Sequence, residues 1–154
     1  MSNEGYPLSI ERRMAAPPEA VWRAWTEHLS EWFAPAPWNT VEAELDLRPG
    51  GRFRAVMEGP DGERADQGAG VFLEIVPERR IVFTDALGPG WMPRTPFMVA
   101  IIELVPDGDG TLYRATVRHW DAGSRKRHEE MGFEPGWSQA ARQLETVSVR
   151  LATS

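Results

Sequence analysis

The polar side chains best placed to do chemistry lie on the last predicted hairpin. Residues 97–105 and 112–120 alternate in the manner of two strands, with a turn rich in Pro, Asp and Gly between them. If the apolar positions of each strand face inward, Glu103 faces inward in the first strand, and Tyr113 and His119 do so in the second. The spacing therefore predicts a polar group within an otherwise apolar interior.

A register that aligns Val99 with Val117 places Tyr113 close to Glu103. A buried carboxylate needs a hydrogen-bond donor, which a tyrosine can supply. Two interpretations follow: a hydrogen-bonded polar pair in the core, or a few polar groups that orient a ligand in a mainly apolar pocket. In an enzyme, Glu103 or His119 would be the acid or base.

Three short patterns resemble known motifs, and each lacks a residue that its chemistry requires. His128-Glu-Glu-Met-Gly132 has glycine where a zinc-protease helix needs its second histidine. Gly68-Ala-Gly-Val-Phe-Leu73 lacks the third glycine of a dinucleotide-binding loop and leads into a strand. Asp107-Gly-Asp-Gly110 lacks the glutamate of a calcium loop. We therefore expect no metal, no cofactor and no catalytic motif.

Composition narrows the class of protein. The 154 residues predict one domain, 1–154, and the net charge of −6 argues against nucleic acid as a partner. The absence of cysteine excludes disulfides and thiolate nucleophiles. The N-terminus does not have the pattern of a signal peptide, and no apolar run reaches the roughly 18 residues of a membrane span. We expect a cytoplasmic protein.

Apolar periodicity predicts the elements that position these residues. The order is a strand at 8–14, two short helices within 18–34, six strands and a long C-terminal helix. From Trp137 onward, apolar or small residues recur on one helical stripe. They are Trp137, Ala140, Ala141, Leu144, Val147, Ser148 and Leu151.

Turn residues predict the registers and the loops. A three-residue loop, Pro49-Gly-Gly51, predicts a hairpin that pairs Leu47 with Phe53 and keeps the apolar residues on one face. The segment 87–96 contains Gly and Pro but also Trp91, so it is too apolar for a spacer, and we predict a rim segment.

Five segments together resemble a known family. They are Ala16-Pro-Pro-Glu-Ala-Val-Trp-Arg-Ala-Trp-Thr26, Leu45-Asp-Leu-Arg-Pro-Gly-Gly-Arg-Phe53, Gly70-Val-Phe-Leu-Glu-Ile-Val-Pro77 with Arg80-Ile-Val-Phe-Thr-Asp85, Arg118-His-Trp120, and His128-Glu-Glu-Met-Gly-Phe133 with Gly136-Trp137. In this order they resemble the single-domain bacterial relatives of the C-terminal domain of the activator of the 90-kDa heat-shock protein ATPase. That family lies within the START-like (SRPBCC, polyketide-cyclase-like) superfamily.

The resemblance implies an α+β helix-grip fold, in which an antiparallel seven-stranded curved sheet wraps around the long C-terminal helix. It also implies a cavity between sheet and helix that holds a small hydrophobic or aromatic molecule, as in a carrier or sensor. A co-chaperone that activates a heat-shock chaperone ATPase and a cyclase- or aromatase-like enzyme are the alternatives. Glu134-Pro135 stands where close relatives are expected to have a His-acidic pair, so that histidine's role is not carried over.

The expected ligand-binding residues combine the cavity with the predicted strand faces, and Glu103 and His119 are the polar anchors. They are Phe53, Met57, Val71, Leu73, Phe83, Trp91, Phe97, Ile101, Glu103, Tyr113, His119, Met131, Trp137, Ala141 and Leu144. The helix break at 132–136 is the expected entrance. Phe72 and Val76 are expected on the outer sheet face, where they could form a homodimer contact.

Overall fold

A computed structural model describes residues 4–153 of the chain. Within them, three α-helices are α1 (Pro18–Glu27), α2 (Ala122–Glu130) and α3 (Phe133–Ala152), and a 3₁₀ turn (Leu29–Glu31) follows α1. The strands are β1 (Leu8–Met14), β2 (Asn39–Leu45), β3 (Arg52–Glu58), β4 (Arg64–Asp66), β5 (Gly70–Val76), β6 (Arg80–Thr84), β7 (Leu87–Gly88), β8 (Met92–Pro93), β9 (Val99–Asp107) and β10 (Gly110–Arg118).

Seven strands form one antiparallel sheet in the order β1-β10-β9-β6-β5-β3-β2. The short β4 pairs with β3 beside this path, and β7 and β8 form a small separate hairpin. The sheet curls around α3, which confirms the predicted α+β helix-grip fold. No helix within residues 4–153 is long and apolar enough to cross a membrane.

The helices bury their apolar faces against the inner face of the sheet. In α1 these are Ala20, Val21, Ala24 and Trp25, and in α3 they are Phe133, Ala141, Leu144, Val147 and Ser148. Pro18 begins α1 because its fixed φ suits the first helical turn and its missing N–H is not needed there. The α3 stripe confirms the helical periodicity predicted from Trp137 onward.

Two polar side chains attach α3 to the first half of the chain. Glu145 accepts hydrogen bonds from Arg12 Nε at 2.7 Å and from the Ala15 amide at 2.8 Å. Gln143 Nε2 donates to the carbonyls of Trp32 and Ala34, both at 2.8 Å. These bonds fix the position of α3 along the sheet.

The register of β9 and β10 differs from the predicted one. Their turn has two residues, 108–109, where the sequence suggested a longer loop. Tyr113 therefore lies opposite Leu104, and Glu103 opposite Arg114. A slip of one residue moves a strand's side chains to the other face, so the prediction that Glu103 and Tyr113 share the inner face is wrong.

The register of β2 and β3 is displaced by two residues, so that Leu45 pairs with Phe53. The Gly50 amide donates to the Phe72 carbonyl at 2.7 Å, and the Phe72 amide donates to the Gly51 carbonyl at 2.9 Å. The two glycines thus pair with a third strand instead of closing a tight hairpin. The predicted partners are wrong, although a shift of two leaves Ala43 and Leu45 on their predicted face. A β-bulge between Thr40 and Glu42 changes the register again at the start of β2.

Candidate functional site

The strand registers bring several ends of the sheet together beside the junction of α2 and α3. Val71 pairs with Thr84, Thr84 with Val99, and Val99 with Arg118, so β5 begins where β6 ends, β9 begins and β10 ends. Leu45, at the end of β2, is the last residue in this series of strand ends. We call this edge the junction end, because α2 follows β10 there and leads into α3.

Aromatic rings fill the interior near the junction end. Trp25 lies 5.8 Å from Phe53 and 5.9 Å from Phe83, and Phe53 stacks on Phe72 at 5.0 Å between ring centroids. The Trp25 indole N–H donates to the buried Tyr113 hydroxyl at 3.3 Å. These rings fill the space between the sheet and the helices, with contacts typical of a packed core.

Half-buried apolar side chains surround this core at the junction end. Phe33, after the 3₁₀ turn, contacts Phe53 with ring centroids 5.9 Å apart. Met98 immediately precedes β9, and Trp137 and Ala140 belong to the first half of α3. The set, called the rim below, is Phe33, Leu45, Ala55, Met98, Trp137 and Ala140. Each packs against the core yet keeps apolar surface in contact with solvent.

Two buried histidines lie beside the rim. The Nε2 atom of His119 is 2.9 Å from Nδ1 of His128, and Nδ1 of His119 is 2.8 Å from the carbonyl oxygen of Tyr6. His119 is 3% exposed and His128 7%. Burial, and secondarily the charge of His119, lowers the pKa of His128 to about 4. At neutral pH the His128 side chain is therefore uncharged.

Aromatic side chains enclose His128 on several sides. Its ring centroid lies 4.9 Å from Phe97, 5.2 Å from Phe133 and 6.2 Å from Trp137. Trp137 belongs to the rim, so the histidine pair and the rim adjoin. The arrangement combines an apolar surface with one polar group, which is the composition of small-molecule sites.

Helix α2 positions His128 through its N-terminal cap. The Asp121 carboxylate accepts from the Ser124 amide at 2.7 Å, and Ser124 and His128 are the buried residues of this otherwise polar helix. Because residues four apart share a helix face, the cap that orients Ser124 also orients His128. The Arg125 side chain adds a bond to the Pro7 carbonyl at 3.0 Å.

The family model for Activator of Hsp90 ATPase homolog 1-like protein (AHSA1) matches residues 15–148. The chain belongs to this family. A crystal structure of a protein from Nitrosomonas europaea is 40% identical, with a TM-score of 0.93 over 99% of this chain and 100% of that one.

Two more distant structures share the AHSA1-like fold. A crystal structure of a protein from Mycobacterium smegmatis is 24% identical, with a TM-score of 0.79 over 95% of this chain and 92% of that one. The solution structure of an AHSA1-like protein from Aeromonas hydrophila is 21% identical, with a TM-score of 0.71 over 94% of each chain. No curated protein matches the chain at a significant level.

The structure divides the expected site residues of this AHSA1-like domain into three groups. Phe53, Phe83, Tyr113, Ala141 and Leu144 lie together in the core. Phe97, His119 and Trp137 adjoin His128 at the junction end. Met57, Val71, Leu73, Trp91, Ile101, Glu103 and Met131 join neither cluster.

The third group departs from the predicted arrangement for identifiable reasons. Phe72, not Val71, contacts Phe53 and Phe83, so Phe72 is not an outer-face residue. A β-bulge between Phe72 and Glu74 breaks the alternation that the sequence suggested for β5. Glu103 lies outside, 3.7 Å from Arg114. The predicted acid-base combination of Glu103 with Tyr113 is not assembled.

Exposure separates the remaining residues from the core. Ile101 shares the outer face of β9 with Glu103, and Met57 and Leu73 are half-buried. Trp91 is 56% exposed and Met131 70% exposed. Trp91 covers Gly50, where an added Cβ would lie 2.8 Å from its ring. The loop 87–96 therefore packs against the β2–β3 turn.

Reasoning from the sequence missed His128 as a partner of His119. The histidines looked dispersed because a strand end and a helix cap separate them. The available signal was the spacing of Ser124 and His128, four residues apart in a run of charged residues, which marks the one buried face of α2.

Two depressions lie on the surface of the AHSA1-like domain. One, of about 270 Å³, lies at the opposite end of the sheet and is lined by Val76, Arg79, Arg80 and 103–106. The other, of about 310 Å³, is lined by Tyr6, Val99, Arg118, His119 and Trp120, so it lies at the junction end beside His119. Among residues 4–153, no group of three or more His, Asp or Glu side chains is arranged to hold a metal ion.

Proposed function

We propose that this AHSA1-like protein binds a small aromatic or apolar molecule at the junction end, between the sheet and the first half of α3. The observation that carries the proposal is the rim, whose six half-buried apolar side chains surround an aromatic core. Apolar side chains of this kind are covered when a ligand binds, and the covered area drives binding. We further propose that the protein acts as a carrier or sensor in the cytoplasm.

The proposal differs from a large preformed cavity. The rings of Trp25, Phe53, Phe72 and Phe83 already occupy the centre, so a ligand would lie over them and under Trp137. Gly132, whose φ is +92°, separates α2 from α3 beside this position.

A tryptophan at position 140 tests the location. Ala140 is half-buried on the rim, so a large ring there would fill the proposed site without entering the packed core. We expect Ala140→Trp to weaken the binding of an aromatic probe such as naphthol at least roughly tenfold, the equivalent of about 1.4 kcal/mol. The measurement is isothermal titration calorimetry.

Ala152→Trp is the matched control, because Ala152 is exposed at the other end of the same helix. Equal affinities in the unmodified protein and this control are expected. Equal affinity in Ala140→Trp would place the binding site away from the junction end and refute the location.

The family description favours a second candidate, activation of a heat-shock chaperone ATPase. Its test is the ATPase rate of the chaperone from the same host with and without this protein. A rise in rate that Ala140→Trp leaves unchanged would favour the chaperone role over the ligand site.

A further inference from the structure

The hydrogen bonds of the histidine pair fix where its protons lie. The carbonyl oxygen of Tyr6 can only accept, so His119 Nδ1 must donate to it. When His119 is neutral, its Nε2 has no proton and accepts from Nδ1 of His128. The neutral His128 then has no proton on Nε2. That atom carries a lone pair and is an acceptor.

This acceptor has no partner among the described residues. The hydrogen bonds of His128 are accounted for by His119, and the rings of Phe97, Phe133 and Trp137 surround the imidazole. Among residues 4–153, Thr40 Oγ1 is the one fully buried side-chain N or O atom without a hydrogen-bond partner, so the Nε2 atom of His128 reaches the surface. A bound molecule can therefore approach this acceptor and supply the donor.

The charges around the pair favour its neutral form. From α2, the Arg127 guanidinium lies 5.3 Å from the Phe97 ring, and Arg125 bonds to the Pro7 carbonyl. From the loop before β9, the amides of Phe97 and Met98 donate to Asp85 and so engage its carboxylate. Glu134 on α3 is exposed and accepts from Ser138.

The Asp121 carboxylate is engaged by the amide of Ser124. None of these carboxylates forms an ion pair with His128, so none of them offsets the burial of a charge on it. An added proton would give His128 Nε2 an N–H in either singly protonated form of the pair. Protonation would therefore convert the acceptor into a donor.

We propose that His128 Nε2 accepts a hydrogen bond from the ligand, so that the ligand class is aromatic molecules with a neutral hydroxyl group, namely phenols. The inference rests on the proposed function and specifies its ligand. The hydroxyl bonds to His128 while the aromatic ring covers Trp137 and its neighbours on the rim. A carboxylate is disfavoured, because its oxygens carry no proton to share with an acceptor.

The test compares three probes at pH 7 by calorimetry: naphthol, the methylnaphthalene in which a methyl group replaces its hydroxyl, and the corresponding naphthoate. A single neutral hydrogen bond predicts that naphthol binds roughly three- to tenfold more tightly than methylnaphthalene. Equal affinities for these two would overturn the inference and leave the proposed function intact. Absence of binding by all three would refute the proposed function itself, and the tightest binding by naphthoate would show a protonated pair.

His128→Phe keeps an aromatic ring but removes the acceptor. We expect the preference for naphthol over methylnaphthalene to disappear in this variant, while methylnaphthalene binds as before. His28→Phe is the control, because His28 bonds to Glu31 at the end of α1, away from the pair. A preference retained in His128→Phe would contradict the role of His128.

Nitrogen-15 NMR of the imidazoles tests the proton positions in the unmodified protein, without any ligand. At pH 7 both His119 and His128 should carry their proton on Nδ1, and naphthol should perturb the Nε2 resonance of His128 most. A proton on His128 Nε2 in the free protein would overturn the inference even if every variant failed to fold.

Discussion

At the scale of single residues, the aromatic core contains polar atoms that satisfy each other by a hydrogen bond. The Tyr113 hydroxyl accepts from the Trp25 indole, and burial raises the pKa of Tyr113, so the phenol stays neutral. The sequence identified Tyr113 as an inward-facing polar residue, but its expected partner was Glu103. Trp25 supplies the donor because α1 packs across the inner face of the sheet.

Removing the Tyr113 hydroxyl should therefore destabilise the protein. Tyr113→Phe leaves the buried Trp25 N–H without an acceptor, at a cost of about 1–3 kcal/mol in the free energy of unfolding. Urea denaturation measures the loss. Tyr6→Phe is the control, because Tyr6 is exposed, and its midpoint should stay unchanged. Equal midpoints for Tyr113→Phe and the unmodified protein would show that the hydrogen bond contributes nothing.

At the scale of elements, α3 is held by its apolar stripe and by Glu145. Burial alone would raise the pKa of Glu145, but the Ala15 amide and the Arg12 guanidinium outweigh it and lower the pKa. A carboxyl group whose pKa is lowered by folding stabilises the protein above its unfolded pKa. That contribution is lost as the pH falls through the folded value.

Glu145→Gln should loosen the attachment of α3 to β1. It removes a charge-assisted bond to Arg12 that is part-buried, so we expect a loss of about 1.5–3 kcal/mol at pH 7. The control is Glu134→Gln, because Glu134 is exposed in the first turn of the same helix. This variant should lower the free energy of unfolding by only a few tenths of a kcal/mol, as is usual for a charge near a helix N-terminus. A similar small change in both variants would contradict the attachment.

Turn length explains which elements the sequence could predict. Periodicity predicted the main strands along the chain and the α3 stripe, because each depends on local spacing. Registers depend on where a turn closes, and residues 106–110 permit both a two-residue turn and a longer one. One residue of difference decided that Ala100 and Leu104, not Ile101 and Glu103, face the core.

At the scale of the whole molecule, the buried His128 links stability to pH. An unfolded histidine titrates near pH 6.5, whereas folding lowers the pKa of His128 to about 4. Between these values the unfolded chain binds more protons, so stability falls as the pH is lowered from 6.5 to 4. The same pair that accepts a phenol thus makes the fold sensitive to acid.

His128→Phe should flatten this dependence. In urea denaturation between pH 7.5 and pH 5, we expect the unmodified protein to lose on the order of 1–2 kcal/mol that the variant retains. Carboxyl groups titrate mostly below this range, so they affect both proteins alike. Parallel curves would show that His128 is not a source of the pH dependence.

The central claim concerns the whole molecule: a phenol binds at the junction end, over the aromatic core. Titration of the isotope-labelled, unmodified protein with naphthol, followed by NMR chemical shifts, tests it most directly. The account predicts that the largest changes occur at Phe33, Met98, His128, Trp137 and Ala140. Changes confined to the depression at the opposite end of the sheet, or no changes at all, would contradict it.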